Sequence, residues 1–268
     1  MSFALATALK SVSIFVGMLV LFEAGRRVGL ARVAHDPDSL GKGAGPIEAA
    51  IFGLLGLLLA FTFSGAASRF EDRRHLITQE ANAIGTAYLR IDMLPADAQP
   101  EIRQLFRQYV DARIEVFRDY ADTVAAAASK NSDATDADLR EVTRLQGKIW
   151  SASAAAAQRA GVPTSAAMLM LPALNDMIDI TTTRAMATQN HPPSIVFQLL
   201  IAFSLIGALL AGYSMAANET RNWFYMLIVS VTLSLTLYVI FDLEYPRFGL
   251  IRIDSADQLL VEVRKSLQ

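Results

Sequence analysis

Four stretches of this 268-residue chain, residues 3–22, 46–67, 195–217 and 223–241, are almost wholly apolar. Each is close to the run of about 20 apolar residues that lets a helix cross the hydrocarbon core of a bilayer. The last two carry no formal charge, the second has one acid, Glu48, in its first turn, and the first is interrupted by Lys10. In lipid the backbone has to satisfy its polar groups within its own segment, so four such runs imply four transmembrane helices. Composition agrees, with 53% hydrophobic residues and a mean hydropathy of +0.34. The first run lacks a positive leading region, and its lysine interrupts the apolar stretch, so it is read as a retained span rather than a signal peptide. Lys10 is expected to snorkel to the interface.

The ends of the spans are marked. Pro46 suits the first helical position, where a missing N–H costs nothing. Glu48 places negative charge against the positive end of the helix dipole. Asn190, His191, Pro192 and Pro193 stop a helix, and Ser194 can cap the next one. Residues 218–222 leave room only for a tight hairpin between the last two spans, and Trp223, Phe224 and Tyr225 suit a headgroup belt.

Residues 68–194 show apolar spacings of three and four and almost no period-two alternation, which predicts a helical extramembrane domain between spans 2 and 3. The second span meets no breaker before Pro95 and is expected to run on as one long helix. A second helix starts near Pro100 with Ile102, Phe106, Tyr109, Arg113, Val116, Tyr120 and Val124 along one stripe. Residues 129–138 are polar and read as a loop. A third helix over 139–160 ends at Gly161 and Pro163, and a fourth over 164–189 contains Pro172, which predicts a kink or restart. The expected division is residues 1–67 for spans 1 and 2, 68–194 for the helical domain, 195–242 for spans 3 and 4, and 243–268 for a C-terminal tail. The fold class is all-α. Lys and Arg near the span ends are slightly more numerous on the side of the helical domain, which places that domain and both termini in the cytoplasm.

Chemistry is sparse. With 24 Lys and Arg against 26 Asp and Glu, the net charge of −2 gives no basic excess for phosphate backbones, and no nucleic-acid partner is expected. The absence of cysteine removes disulfides, thiolate nucleophiles and cysteine-based metal sites. Of three histidines, only His75 has acids at helical spacing, Glu71 and Asp72. A metal site would need a second such half on a facing helix, and none is visible, so this reads as a solvated charged face. No catalytic fingerprint occurs, and neither enzymatic activity, a cofactor nor a metal is expected.

Glu80 falls on the apolar stripe of Ile77, Ile84 and Ile91, on the row shared with Arg73. Two readings stand: a buried ion pair that fixes helix register, with Arg73 or Arg184 as partner, or a carboxylate lining an ion path. Asn175, Asp179 and Thr182 form a polar row on the fourth helix, close to Arg184, and this row is expected to meet Glu80. In the second span, Ala49, Gly53, Ala60, Ser64 and Ala67 form a small-residue stripe that serves either close helix packing or a pore lining. Phe52, Leu59 and Phe63 lie on a bulky face that meets lipid or forms a dewetting constriction.

The run Gly-Leu-Leu-Gly-Leu-Leu-Leu-Ala-Phe-Thr-Phe-Ser-Gly-Ala-Ala-Ser-Arg-Phe from Gly53, and Glu-Ala-Asn-Ala-Ile-Gly-Thr-Ala-Tyr-Leu-Arg-Ile-Asp-Met-Leu-Pro from Glu80, resemble a bacterial membrane family labelled bestrophin-like. Ala-Leu-Asn-Asp-Met-Ile-Asp from Ala173, Arg184, and Asp-Leu-Glu-Tyr-Pro-Arg-Phe-Gly-Leu-Ile from Asp242 are similar to its later motifs. The family is named for a distant likeness to bestrophins, pentameric anion channels with four membrane helices and a helical cytosolic domain. The resemblance therefore implies a homo-oligomeric, pentameric ion channel of the bacterial inner membrane, selective for anions. Bestrophins carry a calcium-binding acidic cluster after the last span. Here Asp242, Glu244, Asp254 and Asp257 are scattered over that stretch, and no calcium site carries over. The rival reading is a non-conducting membrane scaffold or sensor whose helical domain recruits a soluble partner.

Overall fold

The computed structural model describes residues 3–35, 44–125, 132–217, 221–246 and 249–267, and every regular element among them is helical. In chain order these are α1 (Phe3–His35), α2 (Ala44–Leu89), α3 (Gln99–Ala125), α4 (Ser132–Ala157), α5 (Thr164–Gln189), α6 (Ser194–Ser214), α7 (Trp223–Glu244) and α8 (Asp254–Ser266). Four of the helical stretches are long and apolar enough to cross a membrane. The protein is a multi-pass membrane protein.

The chain forms two compact units. One comprises Ala4–Ser68 and His191–Tyr245, the other Arg69–Asn190 with Met1–Phe3 and Pro246–Gln268. The first holds the apolar helices. Its core gathers Met18 and Phe22 of α1, Leu55 of α2, Leu200, Ala208 and Ala211 of α6, and Met226 and Leu237 of α7. Water gives helices in lipid no reason to associate, so close backbone approach has to supply the contact, and small residues permit it. A Cβ built on Gly25 would stand 2.0 Å from the Leu209 carbonyl oxygen, and one on Gly212 would stand 2.1 Å from that of Phe22. The backbones of α1 and α6 touch at these two glycines.

The ends differ in detail from expectation. α2 begins at Ala44, so Pro46 sits third in its first turn, where the first four N–H groups are free of intrahelical bonds in any case. Pro193 takes the capping position of α6 without a side-chain bond, and Ser194 is the first helical residue. At α7 the Asn222 side chain accepts a bond from the Tyr225 N–H at 3.1 Å, and Trp223, Phe224 and Tyr225 are exposed.

In the second unit, α3, α4 and α5 pack with the later turns of α2 around Ile84, Ile91, Ile102, Phe106, Tyr109, Leu145, Ile149, Met170, Leu174 and Met177. α2 ends at Leu89, and a 3-10 turn over Arg90–Met93 leads to Leu94 at φ −88 and ψ 161, extended as the residue before Pro95 has to be. Two expectations are corrected here. The polar stretch 129–138 is not a loop throughout, because α4 starts at Ser132, while residues 129–131 lie outside the described residues. α5 is also not restarted at Pro172, since it is one helix to Gln189. Proline removes one backbone donor, and Arg90 donates to the Leu169 carbonyl in the turn that Pro172 disturbs.

The stretch expected as a separate tail is divided between the units. Residues 243–245 belong with α7, and 246–268 join the helical unit. α8 buries Leu260, with Leu267 just beyond it, in that unit's core. Arg264 of α8 holds both carboxylate oxygens of Asp111 on α3, at 2.7 and 3.0 Å.

Candidate functional site

Glu80 is wholly buried on α2. A carboxylate taken out of water needs donors on both oxygens, since isolated burial would cost several kcal/mol. Arg113 of α3 supplies a two-point contact, Nε to Oε1 at 2.6 Å and Nη2 to Oε2 at 3.1 Å. Arg184 of α5 donates Nη1 to Oε2. One carboxylate thereby ties three helices together. Burial works against the Arg113 guanidinium, but the facing Glu80 charge outweighs it and holds Arg113 above its ordinary pKa. The neighbouring Tyr109 phenol is pushed up to about 12, chiefly by burial.

Of the two partners the sequence offers for Glu80, Arg184 is in place and Arg73 is not. Arg73 and Glu80 are seven residues apart on one helix, about 10.5 Å along the axis and beyond side-chain contact. Arg73 instead donates to the carbonyls of Ala187 and Asn190 at 3.1 and 3.0 Å. These belong to the carbonyl end of α5, where a cation also meets the negative end of the helix dipole. Asn175, Asp179 and Thr182 do not join the buried network, because all three are exposed. The row α5 turns inward is Met170, Ala173, Leu174, Met177 and Arg184, and the polar row stands away from it. Asp179 lines an open groove of about 280 Å³ with Gln79, Ala83, Asp176, Ile180 and Thr183.

The span-2 residues separate in the same way. Phe52 packs onto α6, where a Cβ on Gly207 would lie 3.1 Å from its ring, and Leu59 packs against the same core. Phe63 and Ser64 are exposed, as are Ala49, Gly53, Gly56 and Ala60. Among the described residues, nothing beyond the adjoining residues and backbone of the same helix lies within 4 Å of a Cβ built on Gly53 or Gly56. The glycines of α1 and α6 are thus consumed by packing within the chain, whereas Gly53 and Gly56 of α2 are left open.

Two features escaped the sequence reading. Asp242 and Glu244, at the end of α7, are completely buried. His191, just before α6, lies with Nδ1 3.3 Å from Glu244 Oε2 and stacks on Tyr245 at 4.5 Å between ring centroids. The acids were legible as acids, but nothing local signals burial at the end of a span. Glu71, Asp72 and His75 are exposed, with Glu71 paired to Arg74 at 3.0 Å. Among the described residues no group of three or more His, Asp or Glu is placed to hold a metal ion.

Four apolar helices and a helical unit built around one buried carboxylate define a class of polytopic all-α membrane protein. Residues 10–257 match the bestrophin-like domain. The chain belongs to the bestrophin-like family. Among solved structures, two variants of a bacterial bestrophin homolog from Klebsiella pneumoniae are each 16% identical at a TM-score of 0.62, covering 95% of this chain and 98% of theirs. The structure of a membrane protein with 14% identity reaches a TM-score of 0.64, covering 93% of this chain and 96% of its own. At these identities the likeness is one of fold. No curated protein matches the chain.

Proposed function

We propose that the protein is a homo-oligomeric ion channel in which α2 of each subunit lines an axial passage. The observation that carries this reading is the open stripe on α2, where no described residue beyond the adjoining part of the same helix comes within 4 Å of a Cβ built on Gly53 or Gly56. Small residues that meet no other helix among the described residues suit either another subunit or a water path, and rotational symmetry supplies both. Membership of the bestrophin-like family supports a pentamer, and the bacterial inner membrane is the expected site, with the helical unit and both termini on the cytoplasmic side. Small ions are the cargo, and nucleic acid has no part. The likeness to bestrophins suggests anions. Light scattering of the detergent-solubilised protein should give one closed oligomer, and liposomes carrying it should pass a small ion faster than empty ones. A monomeric particle would overturn the reading.

The alternative, a non-conducting scaffold whose helical unit recruits a soluble partner, draws on the exposed apolar side chains Leu89 and Met168, each 70% exposed. An oligomer that stays folded in liposomes and passes no ion would favour it.

A further inference from the structure

The buried charge of the helical unit does not balance. Among its described residues the buried charged side chains are Arg73, Glu80, Arg113 and Arg184, three cations against one anion. Arg73 sits against the carbonyls that end α5, where the negative end of the helix dipole faces it. Arg113 and Arg184 share Glu80, so that cluster carries one positive charge more than it carries negative. A charge held away from water is costly unless an opposite charge stands near it.

Tyr109 stands in the same place. It is fully buried, one turn before Arg113 on α3 and on the same face of that helix. Its Oη makes no hydrogen bond among the described residues, although a buried hydroxyl ordinarily has a partner. Glu80, Arg113 and Arg184 all act electrostatically on the phenol, which puts it within reach of the cluster. The Gln146 amide of α4 acts on it as well, but its Nε2 donates to Thr181 Oγ1 of α5 at 3.4 Å. Burial raises the phenol to about 12, so the hydroxyl carries a proton at neutral pH. We infer that the helical unit binds a small monovalent anion of the halide class beside the Tyr109 hydroxyl and the guanidiniums of Arg113 and Arg184. A water molecule would satisfy the hydroxyl and leave the excess charge in place. An anion answers both, because it accepts from Tyr109 and supplies the negative charge that Glu80 alone does not.

Thermal melting of the full-length protein in detergent, with sodium gluconate exchanged for sodium chloride at constant ionic strength, tests this. Constant ionic strength holds screening fixed, so a change marks binding. Chloride should raise the melting temperature of wild type, and above half-saturation the rise should grow with the logarithm of its concentration. Tyr109→Phe keeps the ring and removes the donor. It should need about tenfold more chloride for the same rise, the factor that one hydrogen bond to a charged group carries. In wild-type crystals grown with bromide, an anomalous peak should stand within hydrogen-bond distance of Tyr109 Oη and close to both guanidiniums, and this decides the matter if the variant does not fold. Wild-type melting that ignores chloride, an equal response in Tyr109→Phe, or bromide found only elsewhere on the protein overturns the site. None of these readouts involves ion flux, so each outcome leaves the channel reading where it stands.

Discussion

Glu80 shows how one side chain can be read from the sequence while its partners cannot. An acid inside a row of isoleucines has to be neutralised, paired or lining water, and burial leaves the paired arrangement with Arg113 and Arg184. Arg113 carried the matching signal, a cation within the apolar stripe of α3, but one sequence does not tell which stripes face one another. Arg73 looked the nearer partner by row and is excluded by the rise of the helix. Glu80→Ala should leave two buried guanidiniums facing each other and destabilise the protein by about 3–5 kcal/mol. Glu80→Gln, which keeps an acceptor for one of them, should cost less. Thermal melting in detergent reads both, and an unchanged melting temperature for Glu80→Ala would show that the carboxylate stands in water.

The elements follow the strength of the signals that encode them. The four spans were legible because about 20 apolar residues in succession have no other good fold in a bilayer. The first turns of α4 were missed because Ser132, Asp133, Thr135 and Asp136 read locally as loop. α8 was missed because its amphipathic pattern is short, with Leu260 and Leu267 buried among charged neighbours. Glycines in the spans all look alike in sequence, yet the structure separates them. Gly212→Ala puts a methyl 2.1 Å from the Phe22 carbonyl oxygen and should push α1 from α6, costing about 1–3 kcal/mol or more. Gly56→Ala meets no other helix among the described residues, so it should leave the fold of the chain unchanged. If chemical denaturation in detergent finds Gly212→Ala as stable as wild type, the backbone contact between α1 and α6 is not formed.

For the whole molecule, the proposed channel turns on what would fill the centre of a symmetric assembly. The sequence offered Phe52, Leu59 and Phe63 together as a bulky face. The structure commits Phe52 and Leu59 to packing within the chain and leaves Phe63 44% exposed. Of these three, Phe63 is therefore the one that symmetry could bring towards an axis. A ring of phenyl groups around a narrow neck excludes water, because an apolar constriction wide enough for an ion but too narrow to stay wet raises the free energy of every hydrated charge within it. Phe63→Ala should widen and wet that neck, and purified protein in liposomes should then pass a small ion faster than wild type. Trp223→Ala, on a span end exposed at the headgroup level, should leave the flux at the wild-type value. Phe52→Ala should do the same while lowering stability, since its ring fills the space over Gly207. Equal flux for Phe63→Ala and wild type would move the constriction to another residue. If the protein stays folded and oligomeric and neither wild type nor any variant conducts, the open face of α2 serves contact between subunits and not a passage.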